Sequence, residues 1–260
     1  MGIRLVATDL DGTLLRSDGT LSARTARALR AADAAGLHVV FVTARPLRWM
    51  TALWDHVGAH GLAIVSNGAA VYDVPARQVV DISGIKREPG LVLVDRIREQ
   101  VPGSHFALES VSGIALEPGF QEPEEVPVGS PMGPLSEIWT EPALKLMVRH
   151  DDLESEQFRA AVVEAVGDLA TPTWSVDFLI EISAPGVTKG GALARLCERL
   201  GVRREQVIAC GDMPNDLPML TWAGTGVAVA NADPSVLEVV ERLTASNDDD
   251  GVAQVIEALL

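Results

Sequence analysis

Short apolar runs alternate with amphipathic stretches along this chain, and the alternation changes twice. The run Ile3 to Ala7 has the length and branching of a strand buried on both faces, and the Asp-Gly-Thr at residues 11–13 is turn chemistry. "SARTARALRAADAAG" (22–36) reads as a helix, with Ser22 as its cap, apolar positions at helical spacing and Gly36 at its end. "LHVVFVTARP" (37–46) is the next strand, stopped by Pro46. A helical stretch over Leu47 to Val57 follows, with Trp49 and Trp54 as packing residues, and then the strand "LAIVSNG" (62–68). This order predicts a right-handed parallel α/β sheet.

Near Tyr72 the pattern shifts. "VYDVPARQVVDI" (71–82) reads as a hairpin. Beyond it, helices over 89–101 and 152–167 mix with strands "HFALESV", "GIALEP", "ALKLMVRH" and "FLIEISA". Strands outnumber helices here, which predicts a separate α+β unit. The Pro-, Gly- and Glu-rich segment 117–137 reads as an exposed loop. The first pattern then returns: helix "TKGGALARLCERLG", strand "QVIACGD", short helix "PNDLPMLTWAG", strand "GVAVAN", and helices "DPSVLEVVERL" and "GVAQVIEALL". The fold class expected is therefore α/β: a Rossmann-like parallel-sheet core from residues 1–82 and 185–260, with an α+β domain, 83–184, inserted as a cap over a small substrate.

Composition narrows the function. With 36 acidic against 21 basic residues the formal charge is −15, which disfavours nucleic acid and anionic membranes as partners. No apolar run approaches the roughly twenty residues of a membrane span and no leader precedes Ile3, so a cytoplasmic protein is expected. Cys197 and Cys210 do not form a disulfide framework, and a small core residue is the plainer reading of Cys210. His38, His56, His60, His105 and His150 show no metal-ligand spacing.

Four sets of polar residues fall just after strands or at the start of the helices that follow: Asp9 with Asp11, Thr43, Lys189, and Asp212 with Asp216. In an open parallel sheet those positions converge. Attack by one carboxylate on a phosphate ester gives an acyl phosphate that water then cleaves, splitting one hard step into two. A hard cation such as Mg²⁺, held by Asp9 and Asp212, offsets the repulsion between anions. Lys189 and Thr43 are placed to hold phosphate oxygens, and Asp11 to act as acid and then base. Singly, each has a plainer reading. Lys189 is also a solvated helix-start lysine, Thr43 a satisfied strand-end residue, Asp212 and Asp216 helix caps, and Arg45 and Asn67 either turn anchors or substrate contacts.

"DLDGTLL", "VTARP", "TKGGAL" and "GDMPNDLPML" resemble the four successive motifs of the haloacid dehalogenase superfamily, and an insert between the second and third resembles its Cof-type phosphatases with a C2 cap. "SNGA" (66–69) and "SNDDDGVAQVIEALL" (246–260) extend the likeness through the core, while the cap matches in position and composition only. The resemblance implies Asp9 as nucleophile and Asp11 as general acid/base. Around Mg²⁺ it implies the Asp9 carboxylate, the Asp11 main-chain carbonyl and Asp212. Thr43, Ala44, Arg45, Lys189, Asn215 and Asn67 would contact phosphate or substrate, and Asp216 would support Lys189 or a metal water. Met213-Pro214 departs from the small polar residue common before Asn-Asp, and proline at a helix start is geometrically acceptable. The expected activity is a Mg²⁺-dependent phosphatase acting on a small phosphorylated metabolite such as a sugar phosphate, as a monomer or homodimer. The alternatives are a phosphomutase using the same aspartyl phosphate, a non-catalytic phosphoacceptor, and a sugar-phosphate-binding protein without turnover.

Overall fold

The apolar run at the amino end forms strand β1 (Leu5–Thr8), whose first three residues are fully buried. Helix α1 (Ala23–Ala34) begins where the Ser22 side chain accepts from the Thr25 N–H, and the chain leaves it through Gly36 at φ +77°. Strands β2 (His38–Val42), β3 (Leu62–Val65), β4 (Ala70–Asp73) and β5 (Gln78–Ile82) follow. The computed structural model describes residues 2–58, 61–122, 125–176 and 178–260. His60 and the Pro123-Glu124 part of the 117–137 segment lie outside them.

The chain divides into two compact units, Met1–Asp81 with Thr188–Leu260, and Ile82–Val187. The second unit comprises α2 (Arg87–Gln100), β6 (His105–Glu109), β7 (Ile114–Leu116), α3 (Leu135–Ile138), β8 (Lys145–Arg149), α4 (Ser155–Val166), β9 (Thr171–Val176) and β10 (Leu179–Ser183). Its antiparallel sheet has the order β7-β6-β8-β10-β9. Val94 and Ile97 of α2 and Phe158 and Val162 of α4 share one buried cluster with Phe106, Leu146, Val148 and Ile180 from the strands, so both helices lie on one face.

Back in the first unit come α5 (Lys189–Leu200), β11 (Val207–Gly211), α6 (Leu217–Trp222), β12 (Thr225–Ala228), α7 (Pro234–Leu237), β13 (Arg242–Leu243) and α8 (Gly251–Glu257). The eight-stranded sheet runs β13-β12-β11-β1-β2-β3-β4-β5. It is parallel from β13 to β3, and β3 pairs with β4 antiparallel. From β1 the chain moves outward through β2 and β3, then returns to build β11, β12 and β13 on the other side. The strand order therefore reverses between β1 and β11, which is where an open α/β sheet leaves a crevice at its carboxyl edge.

Four sequence expectations are corrected. Residues 47–57 form two 3₁₀ turns, Leu47–Trp49 and Thr51–His56, and not an α-helix. Their apolar positions Leu47, Met50 and Leu53 recur every third residue, the 3₁₀ repeat. Trp49 is 41% exposed beneath the Arg48 guanidinium and does not pack in the core, whereas Trp54 stacks on Tyr72. "DPSVLEVVERL" is helical only over Pro234–Leu237, with Glu238 as its cap, and Arg242–Leu243 pairs with β12 instead of continuing the helix. The 117–137 loop buries Phe120 and Leu135 and holds α3, and β9 was not expected at all.

Candidate active site

Register places the acids. Thr8 of β1 lies opposite Cys210 of β11, and the Asp9 N–H donates to the Cys210 carbonyl at 3.0 Å, so Asp9 and Asp212 leave adjacent strand ends together. Gly12 takes φ +76° immediately afterwards, and a Cβ there would run into Asp212 Oδ2, so only glycine lets the two loops close up. The Thr13 hydroxyl donates to Asp212 Oδ1 at 2.7 Å.

Lys189 opens α5, whose amino end is capped by the Thr188 side chain accepting from the Gly191 N–H. Its ammonium is buried and lies 2.6 Å from both Asp9 Oδ1 and Asp216 Oδ1. Asp216 Oδ2 accepts the Asp212 and Met213 N–H groups at 3.0 Å each, so both oxygens of Asp216 are committed. Asp9, Asp212 and Asp216 bring carboxylate oxygens within 4.8 Å of one another. Among the described residues, no hydrogen bond reaches Asp9 Oδ2 or Asp212 Oδ2.

Charge follows from this packing. Burial pushes the Asp9 carboxyl well above its ordinary value, Lys189 pulls it back, and Asp216 and Asp212 push it up again. Burial raises Asp212 to about 6, with Thr13 opposing and Asp216 adding to the rise. Burial works against the Lys189 ammonium, but Asp9 and Asp216 outweigh it and hold its pKa above the ordinary lysine value. Three carboxylates thus face one ammonium, and the site is short of positive charge. Two hard oxygens without partners in such a field fit a divalent cation.

The remaining residues form a second chain of contacts. Thr43 is buried after β2, and its hydroxyl oxygen accepts the Arg45 N–H at 3.0 Å. Ala44 lies half-buried between them, and its own N–H donates to none of the described residues. Arg45 grips the more than half exposed Asp11 with two bonds, Nε to Oδ2 at 2.8 Å and Nη2 to Oδ1 at 2.5 Å. The Asn67 N–H donates to the Thr43 carbonyl at 3.0 Å, and Asn215 Nδ2 donates to Asn67 Oδ1 at 3.1 Å. Asn67 itself is left-handed at φ +57°, and a Cβ on the following Gly68 would lie 2.5 Å from the Thr188 carbonyl oxygen. The structure therefore joins Asp9, Lys189, Asp216 and Asp212 in one group and Asp11, Arg45, Thr43, Asn67 and Asn215 in another. Arg45 meets Asp11 in this arrangement. Cys210 lies in the core with its thiol pushed up to about 12 by burial.

Sequence reading assigned nothing to Thr13, Asn231 or Asn247. Asn231 Nδ2 donates to the Gly12 carbonyl at 2.8 Å, and Asn247 Nδ2 donates to the Leu15 carbonyl at 2.9 Å. Thr13 stood in the quoted Asp-Gly-Thr turn and Asn247 in the "SNDDDG" segment, but neither string says which distant group it meets.

The chain matches the haloacid dehalogenase-like hydrolase family over residues 6–256. It is similar to pyridoxal phosphate phosphatase YbhA of Escherichia coli (strain K12), at 30% identity covering 98% of each chain. It is also similar to phosphoglycolate phosphatase of Methanothermobacter thermautotrophicus, at 28% identity covering 99% of each. Its fold is that of a solved HAD subclass IIB sugar phosphatase, with TM-score 0.80 at 21% identity over 99% of this chain and 100% of the other. With its strand-end acids in a family of this description, the chain belongs to the haloacid dehalogenase-like hydrolases and is a phosphoric monoester hydrolase.

Proposed function

We propose that this protein is a Mg²⁺-dependent phosphatase that hydrolyses a small soluble phosphate monoester through an aspartyl phosphate on Asp9. One observation carries the reading: among the described residues, Asp9 and Asp212 each keep one carboxylate oxygen without a partner beside the buried Lys189 ammonium. The Asp9 carboxylate attacks phosphorus, and the ester P–O bond breaks as the new one forms. Asp11 gives its proton to the leaving oxygen, then takes one from the water that displaces phosphate from Asp9. Lys189, the Thr43 hydroxyl, the Ala44 N–H and Asn215 take up the charge on the phosphoryl oxygens. Arg45 holds Asp11 in place, and Asp216 orients Lys189. Asp9, Asp212 and the Asp11 main-chain carbonyl would hold Mg²⁺, which would supply the positive charge the site lacks. Pyridoxal phosphate and phosphoglycolate, the compounds in the relatives' names, are both small phosphorylated metabolites, and the substrate is assigned to that class, sugar phosphates included.

The test is phosphate release from a panel of phosphorylated metabolites, with Mg²⁺ or chelator, for the wild type and Asp9→Asn. Release that needs Mg²⁺ and falls to background in Asp9→Asn is the expected result. Release that survives either change overturns the mechanism, and movement of the phosphoryl group to another substrate hydroxyl without free phosphate would make the protein a mutase.

A further inference from the structure

We infer that Asn231 and Asn247 are positioning residues that hold the backbone from Asp9 to Thr13 in the geometry a cation needs, an inference that rests on the magnesium reading above. Gly12 is required where it stands, because a Cβ would meet Asp212, yet glycine is also the residue whose backbone turns most freely. That freedom falls between Asp11, whose carbonyl would face the cation, and Thr13, whose hydroxyl steadies Asp212.

The restraint comes from the far end of the chain. Asn231 follows β12 and donates Nδ2 to the Gly12 carbonyl at 2.8 Å, while its Oδ1 accepts the Asn247 N–H at 2.9 Å. Asn247, 3% exposed, donates Nδ2 to the Leu15 carbonyl at 2.9 Å. Next to it, Asp248 accepts the Ser17 N–H at 2.9 Å and the Ser17 hydroxyl at 2.7 Å, and Asp250 pairs with Arg16 at 3.1 Å. The segment 247–250 is thus clasped along residues 15–17, and Asn231 carries the grip forward to Gly12. With its carbonyl held by Asn231 and the next side chain held by Asp212, the Gly12-Thr13 peptide cannot rotate without breaking a bond on each side. A cation site gains affinity when such outer partners fix its donors, and their loss costs about 10- to 100-fold.

Asn231 is exposed, so truncating it leaves the core intact. Asn231→Ala, and Asn231→Leu as a variant of similar shape without the donor, are compared with the wild type in two measurements on the full chain. Calorimetric titration with MgCl₂ is expected to show affinity about 10- to 100-fold weaker in both variants. Hydrogen exchange in chelator is expected to be faster over residues 10–17, and activity lost at low Mg²⁺ to return as Mg²⁺ is raised. If the variants bind Mg²⁺ as the wild type does and exchange at the same rate, the inference is overturned while the functional reading stands. A lower melting temperature in chelator with unchanged Mg²⁺ affinity also overturns it, since that is a purely structural effect. If the wild type binds no Mg²⁺, the magnesium reading fails and the inference fails with it.

Discussion

A lysine ammonium buried between two carboxylates gives up most of its hydration, and the attraction it regains depends on both partners staying in place. Lys189 has that security because Asp216 is itself pinned by two backbone N–H groups. Asp11 stands in a different environment. Its side chain is 57% exposed while Arg45 holds it through its one described ion pair, so it is kept in place yet open to an incoming ester on its solvent side. At this scale the prediction concerns leaving groups. Asp11→Asn should cut kcat/KM for alkyl phosphates by about 10²- to 10⁴-fold. The loss should be far smaller for p-nitrophenyl phosphate, whose phenolate departs without a proton. Steady-state kinetics on the two ester types check this, and an equal loss on both would remove Asp11 from the acid role.

Among the elements, α5 matters most to the site because it presents Lys189 and must lie close to α6. Gly190 makes that approach possible: a Cβ there would collide with the Pro218 carbonyl and lie 2.8 Å from the Met219 nitrogen. Gly190→Ala should therefore destabilise the protein by about 1–3 kcal/mol, overcoming the roughly 1 kcal/mol that alanine gains in a helix. A urea unfolding midpoint that stays level or rises would contradict the close packing. The elements also show where sequence reading succeeds and where it stops. Strands buried on both faces, such as β1 and β11, announce themselves as continuous apolar runs. Strand β9 does not, because "TPTWSV" contains Pro172, tolerated only because β9 is an edge strand. Edge position is a property of the assembled sheet, so no local pattern contains it.

Across the whole molecule, acidic charge couples stability to pH and metal. The Asp212 carboxyl, raised in the fold to about 6 from an ordinary 3.8, binds its proton more tightly folded than unfolded. Its contribution is complete below the unfolded value and is lost as pH rises through the folded one, so the window runs from about pH 4 to about pH 6. Asp9, pushed the same way by burial, adds to the effect. In chelator, the melting temperature of the wild type should fall relative to that of Asp212→Asn across this window, by the equivalent of up to about 3 kcal/mol. Mg²⁺ should restore the wild type more at pH 7.5 than at pH 5, and scarcely affect the variant. Thermal melts at three pH values with and without Mg²⁺ decide it, and a wild-type curve parallel to that of the variant would refute the coupling.

By itself the sequence determined the kinds of group available and their strand-end placement, because apolar runs and turn residues are local signals with a known period. Asp9, Thr43 and Asp212 could be set at the carboxyl edge of a parallel sheet on that basis alone. Only the tertiary structure decided which group meets which. Lys189 meets Asp9 across 180 positions, Thr13 meets Asp212 across 199, and Asn231 meets Gly12 across 219. Arg45 turns to Asp11 because the loop after β2 lies beside the loop after β1, an adjacency set by the pairing of those strands. Side-chain partners depend on distances the chain acquires when its strands take their order, and that order is settled by the packing of the whole sheet.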